Sequence, residues 1–119
     1  TVAFGELSVD GMPVGVTDRM KQIAEDFGQA QIEVQLADDL RLARWKKLVW
    51  NIPFNGLSVI LLEETNQLVG NPSLRSLVQT IMNEVALAAR ADGRSIPDQF
   101  ISTMIEHTEQ MKPYKTSMR

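Results

Sequence analysis

Residues 44–55 read Arg-Trp-Lys-Lys-Leu-Val-Trp-Asn-Ile-Pro-Phe-Asn, and this stretch predicts the central helix of the fold. An α-helix turns about 100° per residue, so residues four apart drift only about 40° around its surface. Lys47, Asn51 and Asn55 therefore line one side of the helix, which we call the polar stripe. Most other positions are apolar, and a helix apolar around so much of its girth is expected at the centre of a fold.

Two interpretations of the polar stripe follow from its residues alone. Lys46 points about 100° away from Lys47, so only Lys47 aligns with the two asparagines. One ammonium and two neutral amides can bind a carbonyl and protonate it, which is the acid half of a reductase site. Alternatively, these side chains form a solvated helix face, which is the commoner role of a charged stripe.

Pro53 lies inside the predicted helix. It lacks the amide that would bond to the carbonyl of Val49, and its ring crowds the same carbonyl, a penalty of about 3 kcal/mol in a helix interior. We therefore expect a kink or a break near residues 51–53, which would displace Asn55 from its ideal position.

The composition excludes several classes of protein. A chain of 119 residues can bury a core as one domain, and without cysteine it has no disulfide framework, thiol nucleophile or thiolate metal site. The interspersed charges, with a net charge of −3, give no nucleic-acid footprint. The longest apolar run, from Leu57 to Leu62, is interrupted at Ser58 and is too short to span a membrane. We expect no metal, nucleic-acid or membrane partner and a cytoplasmic location.

The remaining pattern predicts a mainly α domain with a short β segment at its N-terminus. Residues 1–15 read as a strand and a hairpin-like loop, and residues 32–36 read as an extended segment. Four helices are predicted from the cap signals at their ends. The first runs from Thr17-Asp18 to a stop at Gly28, and the central helix opens at Asp38-Asp39. The longest starts at Asn71-Pro72 and ends at Gly93, and the last follows a weak capping box at residues 95–98.

The segment from Trp45 to Leu57 resembles the signature of the C-terminal domain of ketopantoate reductase. Met82-Asn83-Glu84-Val85 is similar to part of that family's long helix, and residues 112–118 resemble its serine-bearing substrate loop. Phe4-Gly5-Glu6 resembles the strand that closes the preceding nucleotide-binding domain. The resemblance implies a helical substrate domain of the ketopantoate reductase and 6-phosphogluconate dehydrogenase C-terminal type.

The resemblance also implies a role for each matching residue. Lys47 matches the general acid that protonates the ketone oxygen as hydride arrives from NADPH, in the conversion of ketopantoate to pantoate for pantothenate and coenzyme A biosynthesis. Asn51 and Asn55 match substrate-contacting asparagines, and Ser117 matches the serine that bonds the substrate carboxylate. The family often has asparagine three residues before that serine, where this chain has Tyr114.

The implied domain organisation extends beyond this sequence. Residues 1–15 would be a residual strand and hairpin linking to an absent Rossmann domain, and residues 16–119 a substrate domain incomplete at its C-terminus. No G-x-G-x-x-G motif occurs, so we expect NADPH to bind the complete enzyme and no cofactor to bind this chain alone, which would then be inactive. The expected partners are ketopantoate or pantoate, the Rossmann domain and a second copy of the chain. A helical dimerisation or interaction module, and a paralogous reductase of another 2-keto acid, are the alternatives.

Overall fold

A computed structural model describes residues 1–118 and divides the chain into two compact units, Thr1–Arg44 and Trp45–Arg119. The secondary structure, in chain order, is β1 (Val2–Gly5), α1 (Asp18–Gln29), β2 (Val34–Ala37), α2 (Leu40–Leu61), α3 (Thr65–Gly70), α4 (Pro72–Ala91) and α5 (Asp98–Gln110). The predicted fold class, mainly α with a short β segment at the N-terminus, is confirmed. None of the helices within residues 1–118 is long and apolar enough to cross a membrane.

The first unit is a β–α–β arrangement. β1 and β2 pair in parallel, with Val2 opposite Val34 and Gly5 opposite Ala37. Parallel strands require a crossover connection, which α1 supplies. Gly5 permits the close approach of the two strands, because a Cβ at this position would lie 2.9 Å from the carbonyl oxygen of Ala37.

The prediction of a hairpin-like loop within residues 1–15 is wrong. A turn does form around Asp10, but no second strand follows it there, because β1 takes β2 as its partner. The two compact units divide between Arg44 and Trp45. The division between residues 15 and 16, where a link to a further domain is expected to end, stays a prediction.

Local cap signals place α1 correctly at its start. The hydroxyl of Thr17 accepts a hydrogen bond from the backbone amide of Met20 at 3.2 Å, as expected for an N-cap. The predicted stop at Gly28 is early, since α1 continues to Gln29. Gln31, with φ of 59°, then takes the left-handed conformation that turns the chain towards β2.

Two contacts lower the pKa of the Glu6 carboxyl: first the hydrogen bond from the Thr17 hydroxyl at 3.0 Å, then the hydrogen bond and charge of Arg19. We predict that Thr17→Val and Arg19→Gln each raise the pKa of Glu6, as measured by NMR titration of the carboxyl carbon. A lowered pKa stabilises the fold above the ordinary pKa of glutamate, and this contribution is lost as the pH falls through the lowered value. An unchanged titration in both variants contradicts this assignment.

In the second unit, α2 continues through Pro53 without interruption, so the predicted break near residues 51–53 is wrong. Val49, Pro53 and Phe54 are all fully buried on this helix. Burying a Val or Phe side chain stabilises by about 1.5–3 kcal/mol each, which together offsets the roughly 3 kcal/mol penalty of an internal proline. Core packing therefore overrides the local preference for a helix end.

The ends of α4 agree with prediction. The side-chain oxygen of Asn71 accepts from the amides of Ser73 at 3.0 Å and Leu74 at 3.2 Å, and Pro72 occupies the first helical position. Gly93, with φ of 80°, follows the last turn. The helix has 20 residues, so α2 with 22 is the longest described helix, contrary to prediction.

Two features of the second unit escape the sequence pattern. α3 is not predicted, because its six residues are too few to show a helical period. The capping box predicted at residues 95–98 does not form. α5 instead begins at Asp98 behind Pro97, whose φ of −66° and ψ of 148° place it in the N-cap conformation without a side-chain hydrogen bond.

Candidate functional site

The polar stripe lies on an unbroken helix. Because α2 continues through Pro53, Lys47, Asn51 and Asn55 follow one another at intervals of about 6 Å along the helix axis. Lys47 is exposed and the two asparagines are half-buried. Within residues 1–118, none of these three side chains has a hydrogen-bond or salt-bridge partner. Half-buried amides without partners retain donors and acceptors for a ligand.

The two adjacent lysines have different environments. The ammonium of Lys46 lies 5.4 Å from the centroid of the Phe100 ring, a distance typical of a cation–π contact. The Lys47 side chain is exposed instead and belongs to the polar stripe. This agrees with the helical period, which separates the lysines by about 100°, and it makes Lys46 the natural control for any test of Lys47.

Two tryptophans on α2 fix which face of the helix the second unit buries. The indole N–H of Trp45 donates to Asp92 at 2.8 Å, and that of Trp50 donates to the Thr108 hydroxyl on α5 at 2.9 Å. The Trp50 ring also stacks on Phe54, with centroids 4.7 Å apart and planes 22° apart. Since hydrogen bonds are directional, these contacts oppose rotation of α2 about its axis and so orient the polar stripe.

We predict that Thr108→Val lowers the free energy of unfolding by about 1–3 kcal/mol, because it leaves the part-buried Trp50 N–H without its acceptor. Urea denaturation of the chain measures this. Thr103→Val is the matched control, since Thr103 is exposed and its hydroxyl bonds only to the carbonyl of Gln99 in the same helix. Equal losses in the two variants would show that the contact between α2 and α5 does not stabilise the unit.

Residues 112–118, which we call the C-terminal tail, pack against α2 and α3. Thr116, only 3% exposed, has its hydroxyl oxygen 2.7 Å from that of Ser58 on α2. The Ser58 hydroxyl in turn donates to the carbonyl of Asn55 at 3.1 Å. Two residues earlier in the tail, the carbonyl of Tyr114 accepts from the amide of Thr65 at 3.2 Å.

Ser117 lies in the tail next to the residue that bonds to α2. Ser117 is exposed and follows Thr116 directly, so its Cα lies about 3.8 Å from that of Thr116. Through Ser58, this point of the tail is linked to Asn55. Lys47 lies at the other end of the stripe, about 12 Å from Asn55 along the helix axis. The candidate site therefore has an ammonium and two amides in a row on α2, and Ser117 directly follows the tail residue that is bonded to this helix.

The residues that hold the tail are absent from the sequence prediction of the site. Ser58 did leave a signal, because it is the polar interruption in the apolar run from Leu57 to Leu62. Thr116 and Thr65 left none, since their contacts join segments far apart in the chain. The Thr65 hydroxyl is buried and has no hydrogen-bond partner within residues 1–118.

Comparison with known proteins agrees with this architecture. Residues 39–119 match the family described as "Ketopantoate reductase PanE/ApbA C terminal". The 2-dehydropantoate 2-reductase of Nostoc sp. is 50% identical over 118 residues, which cover 99% of this chain and 37% of the relative.

Two solved structures extend the comparison. The crystal structure of 2-dehydropantoate 2-reductase from Geobacter metallireducens is 42% identical, with a TM-score of 0.82, over 88% of this chain and 36% of that one. The structure from Methylococcus capsulatus is 33% identical, with a TM-score of 0.84, over 98% of this chain and 36% of that one.

These matches place the second unit among the C-terminal domains of oxidoreductases. The chain belongs to the ketopantoate reductase C-terminal domain family, as the resemblance at residues 45–57 predicts. It spans little more than a third of the length of the relatives described above, at 36–37%.

Proposed function

We propose that this chain is the substrate-binding and general-acid domain of an NADPH-dependent ketopantoate reductase. The polar stripe carries the proposal, because it presents one ammonium and two amides that have no side-chain partners within residues 1–118, on an unbroken helix of this family. The roles proposed are proton donation by Lys47, contacts to the substrate hydroxyl or carbonyl by Asn51 and Asn55, and carboxylate binding by Ser117.

The chemistry of ketone reduction suits this set of residues. Reduction adds a hydride to the carbonyl carbon and a proton to the carbonyl oxygen, on which negative charge develops. The Lys47 ammonium stabilises that charge electrostatically and then gives its proton to the oxygen. Asn51 and Asn55 donate and accept hydrogen bonds without titrating, which suits them to orienting the substrate.

We propose that NADPH is not held by the described residues alone. A phosphate-binding turn needs glycines between a strand and a helix, where the backbone can approach the pyrophosphate. Gly5 at the end of β1 is instead packed against Ala37 and Leu40. We propose that the nucleotide is bound by the N-terminal part of the complete enzyme, and that this chain alone does not turn over ketopantoate.

The first unit supports the proposal of a Rossmann domain as partner. A parallel sheet of two strands is far smaller than the parallel sheets of α/β proteins, which are covered by helices on both faces. Half of β1, including Val2, is exposed. We propose that β1 and β2 continue a larger parallel sheet, which extends the predicted link beyond residues 1–15.

The test of Lys47 uses a chimeric protein in which this chain replaces the 118-residue stretch that it matches in the Nostoc relative. With ketopantoate and NADPH, Lys47→Ala is expected to lower kcat by about 10²–10⁴-fold, the usual contribution of a positioned acid or base. Lys46→Ala, which removes the contact with Phe100, should leave kcat close to that of the unsubstituted chimera.

Three results would each contradict a part of the proposal. Equal losses of kcat in the two lysine variants would mean that the polar stripe does not supply the acid. A folded chimera that oxidises no NADPH with ketopantoate would reject the assigned activity. Turnover by the 119-residue chain without the added domain would reject the proposed division of the site.

Tyr114 favours a second candidate, a reductase that acts on another 2-keto acid. Its side chain is 45% exposed and belongs to the same tail segment as Ser117. An aromatic ring at this point offers apolar area in place of the amide that the resemblance leads us to expect. We predict that Tyr114→Asn in the chimera raises kcat/KM for ketopantoate relative to 2-keto acids with larger side chains. An unchanged ratio across such a panel would leave Tyr114 without a role in selectivity.

Three apolar residues on α2 support a further alternative, association with a second copy. Leu48, Ile52 and Val59 are 38%, 45% and 39% exposed, and helical spacing puts them on one face next to the polar stripe. Light scattering on the chain distinguishes a dimer from a monomer, and Ile52→Gln should weaken a dimer built on this face. The expected cytoplasmic location remains part of the same proposal.

A further inference from the structure

We propose that Ser58 and Thr116 are positioning residues, whose hydroxyl pair sets the register of the C-terminal tail so that Ser117 faces the substrate carboxylate. The inference deepens the proposed function and rests on it for the identity of the ligand. Neither residue would touch the substrate itself, since both are buried, with 0% of Ser58 and 3% of Thr116 exposed.

The direction of the hydroxyl pair follows from the hydrogen count. Ser58 has one hydroxyl hydrogen, and it donates this to the carbonyl of Asn55 at 3.1 Å. With that hydrogen given to Asn55, we assign the Thr116 hydroxyl as the donor in the 2.7 Å bond to Ser58, whose geometry permits either direction. The tail is thus tied, through two consecutive hydrogen bonds, to the backbone of a residue of the polar stripe, and consecutive bonds polarise and strengthen one another.

The hydroxyl pair decides which tail side chain turns inward. Thr116 is the one buried residue within 112–118, and the exposed Ser117 after it begins a turn. A slip of one residue along α2 would put Ser117 in the buried position of Thr116 and remove it from the surface. The bond from the Thr65 amide to the Tyr114 carbonyl, at 3.2 Å, is a second anchor two residues away and restrains the same register.

Stability alone does not require hydroxyls here. Ser58 interrupts the apolar run from Leu57 to Leu62, and an apolar pair of similar shape in place of two hydroxyls can be nearly neutral for folding. What an apolar pair lacks is direction, because van der Waals contact tolerates sliding along the helix whereas a hydrogen bond at 2.7 Å does not. The pair is therefore suited to placement of the tail.

The first test uses this chain by itself, without substrate and without the N-terminal part that the Nostoc relative supplies in the chimera. In the 119-residue chain, ¹⁵N relaxation should report a rigid Ser117 amide, with an order parameter of about 0.85. Thr116→Val keeps the side-chain shape, removes the donor and should lower this value below about 0.6, whereas Thr116→Ser retains the donor and should preserve it. Thr103→Val is the control, since its hydroxyl bonds only within α5. An unchanged Ser117 order parameter in Thr116→Val overturns the inference, whatever the activity of the chain.

The second test separates positioning from catalysis in the chimera. Thr116→Val and Ser58→Ala should each raise the KM for ketopantoate about tenfold, the equivalent of roughly 1.4 kcal/mol of binding, with kcat within about twofold. The double variant should raise KM no further than either single variant, because both remove the same bond. Thr116→Ser should restore KM.

The outcomes of these two tests separate the proposed function from the positioning role of Ser58 and Thr116. A folded chimera without activity rejects the proposed function, while the order parameter of Ser117 still decides whether the hydroxyl pair holds the tail. An active chimera in which Thr116→Val leaves KM unchanged rejects the positioning role and leaves the assignment of Lys47 standing. Loss of kcat without a change in KM also rejects it, since carboxylate binding would then be unaffected.

Discussion

The burial of one face of α2 is the constraint on which the rest of the second unit depends. Val49 and Phe54 have no exposed surface, and the Pro53 between them is buried as well. That packing keeps the backbone helical where an isolated peptide would bend or end. If the helix broke at Pro53, Asn55 and Ser58 would lose their fixed relation to Lys47, and the tail would lose its attachment beside the polar stripe.

Side-chain hydrogen bonds fix the rotation of α2 about its axis. Trp50 reaches the Thr108 hydroxyl on α5, and Ser58 bonds with the Thr116 hydroxyl of the tail. In both cases the hydroxyl group is almost fully buried and joins segments distant in sequence. Apolar contacts supply most of the free energy of folding, while these few directional bonds select one arrangement of the surface groups. The direction in which the polar stripe faces is thus set by the opposite, buried face of α2.

Local features of the fold could be predicted from sequence, and non-local ones could not. Thr17 and Asn71 correctly predict helix starts, because an N-cap residue bonds with its own side chain to the backbone amides of the helix that follows it. The alignment of Lys47 with two asparagines follows from the helical period alone. The parallel pairing of β1 with β2, the persistence of α2 through Pro53 and the attachment of Thr116 all depend on partners that no local pattern identifies. For the candidate site, the alignment of its residues along α2 was predictable from the sequence, and the contacts that hold the tail were not.

The central claim is that the polar stripe and Ser117 form one surface for a 2-keto acid or its alcohol. The most direct measurement is an NMR titration of the 119-residue chain with pantoate. It follows the backbone amides together with the side-chain amides of asparagine and glutamine. The account predicts shifts in the side-chain amides of Asn51 and Asn55 and in the backbone amide of Ser117, with none at Gln79 or Asn83, which line a separate cavity between α4 and α5. Shifts at Gln79 and Asn83 without shifts at Asn51, Asn55 and Ser117 would contradict this prediction.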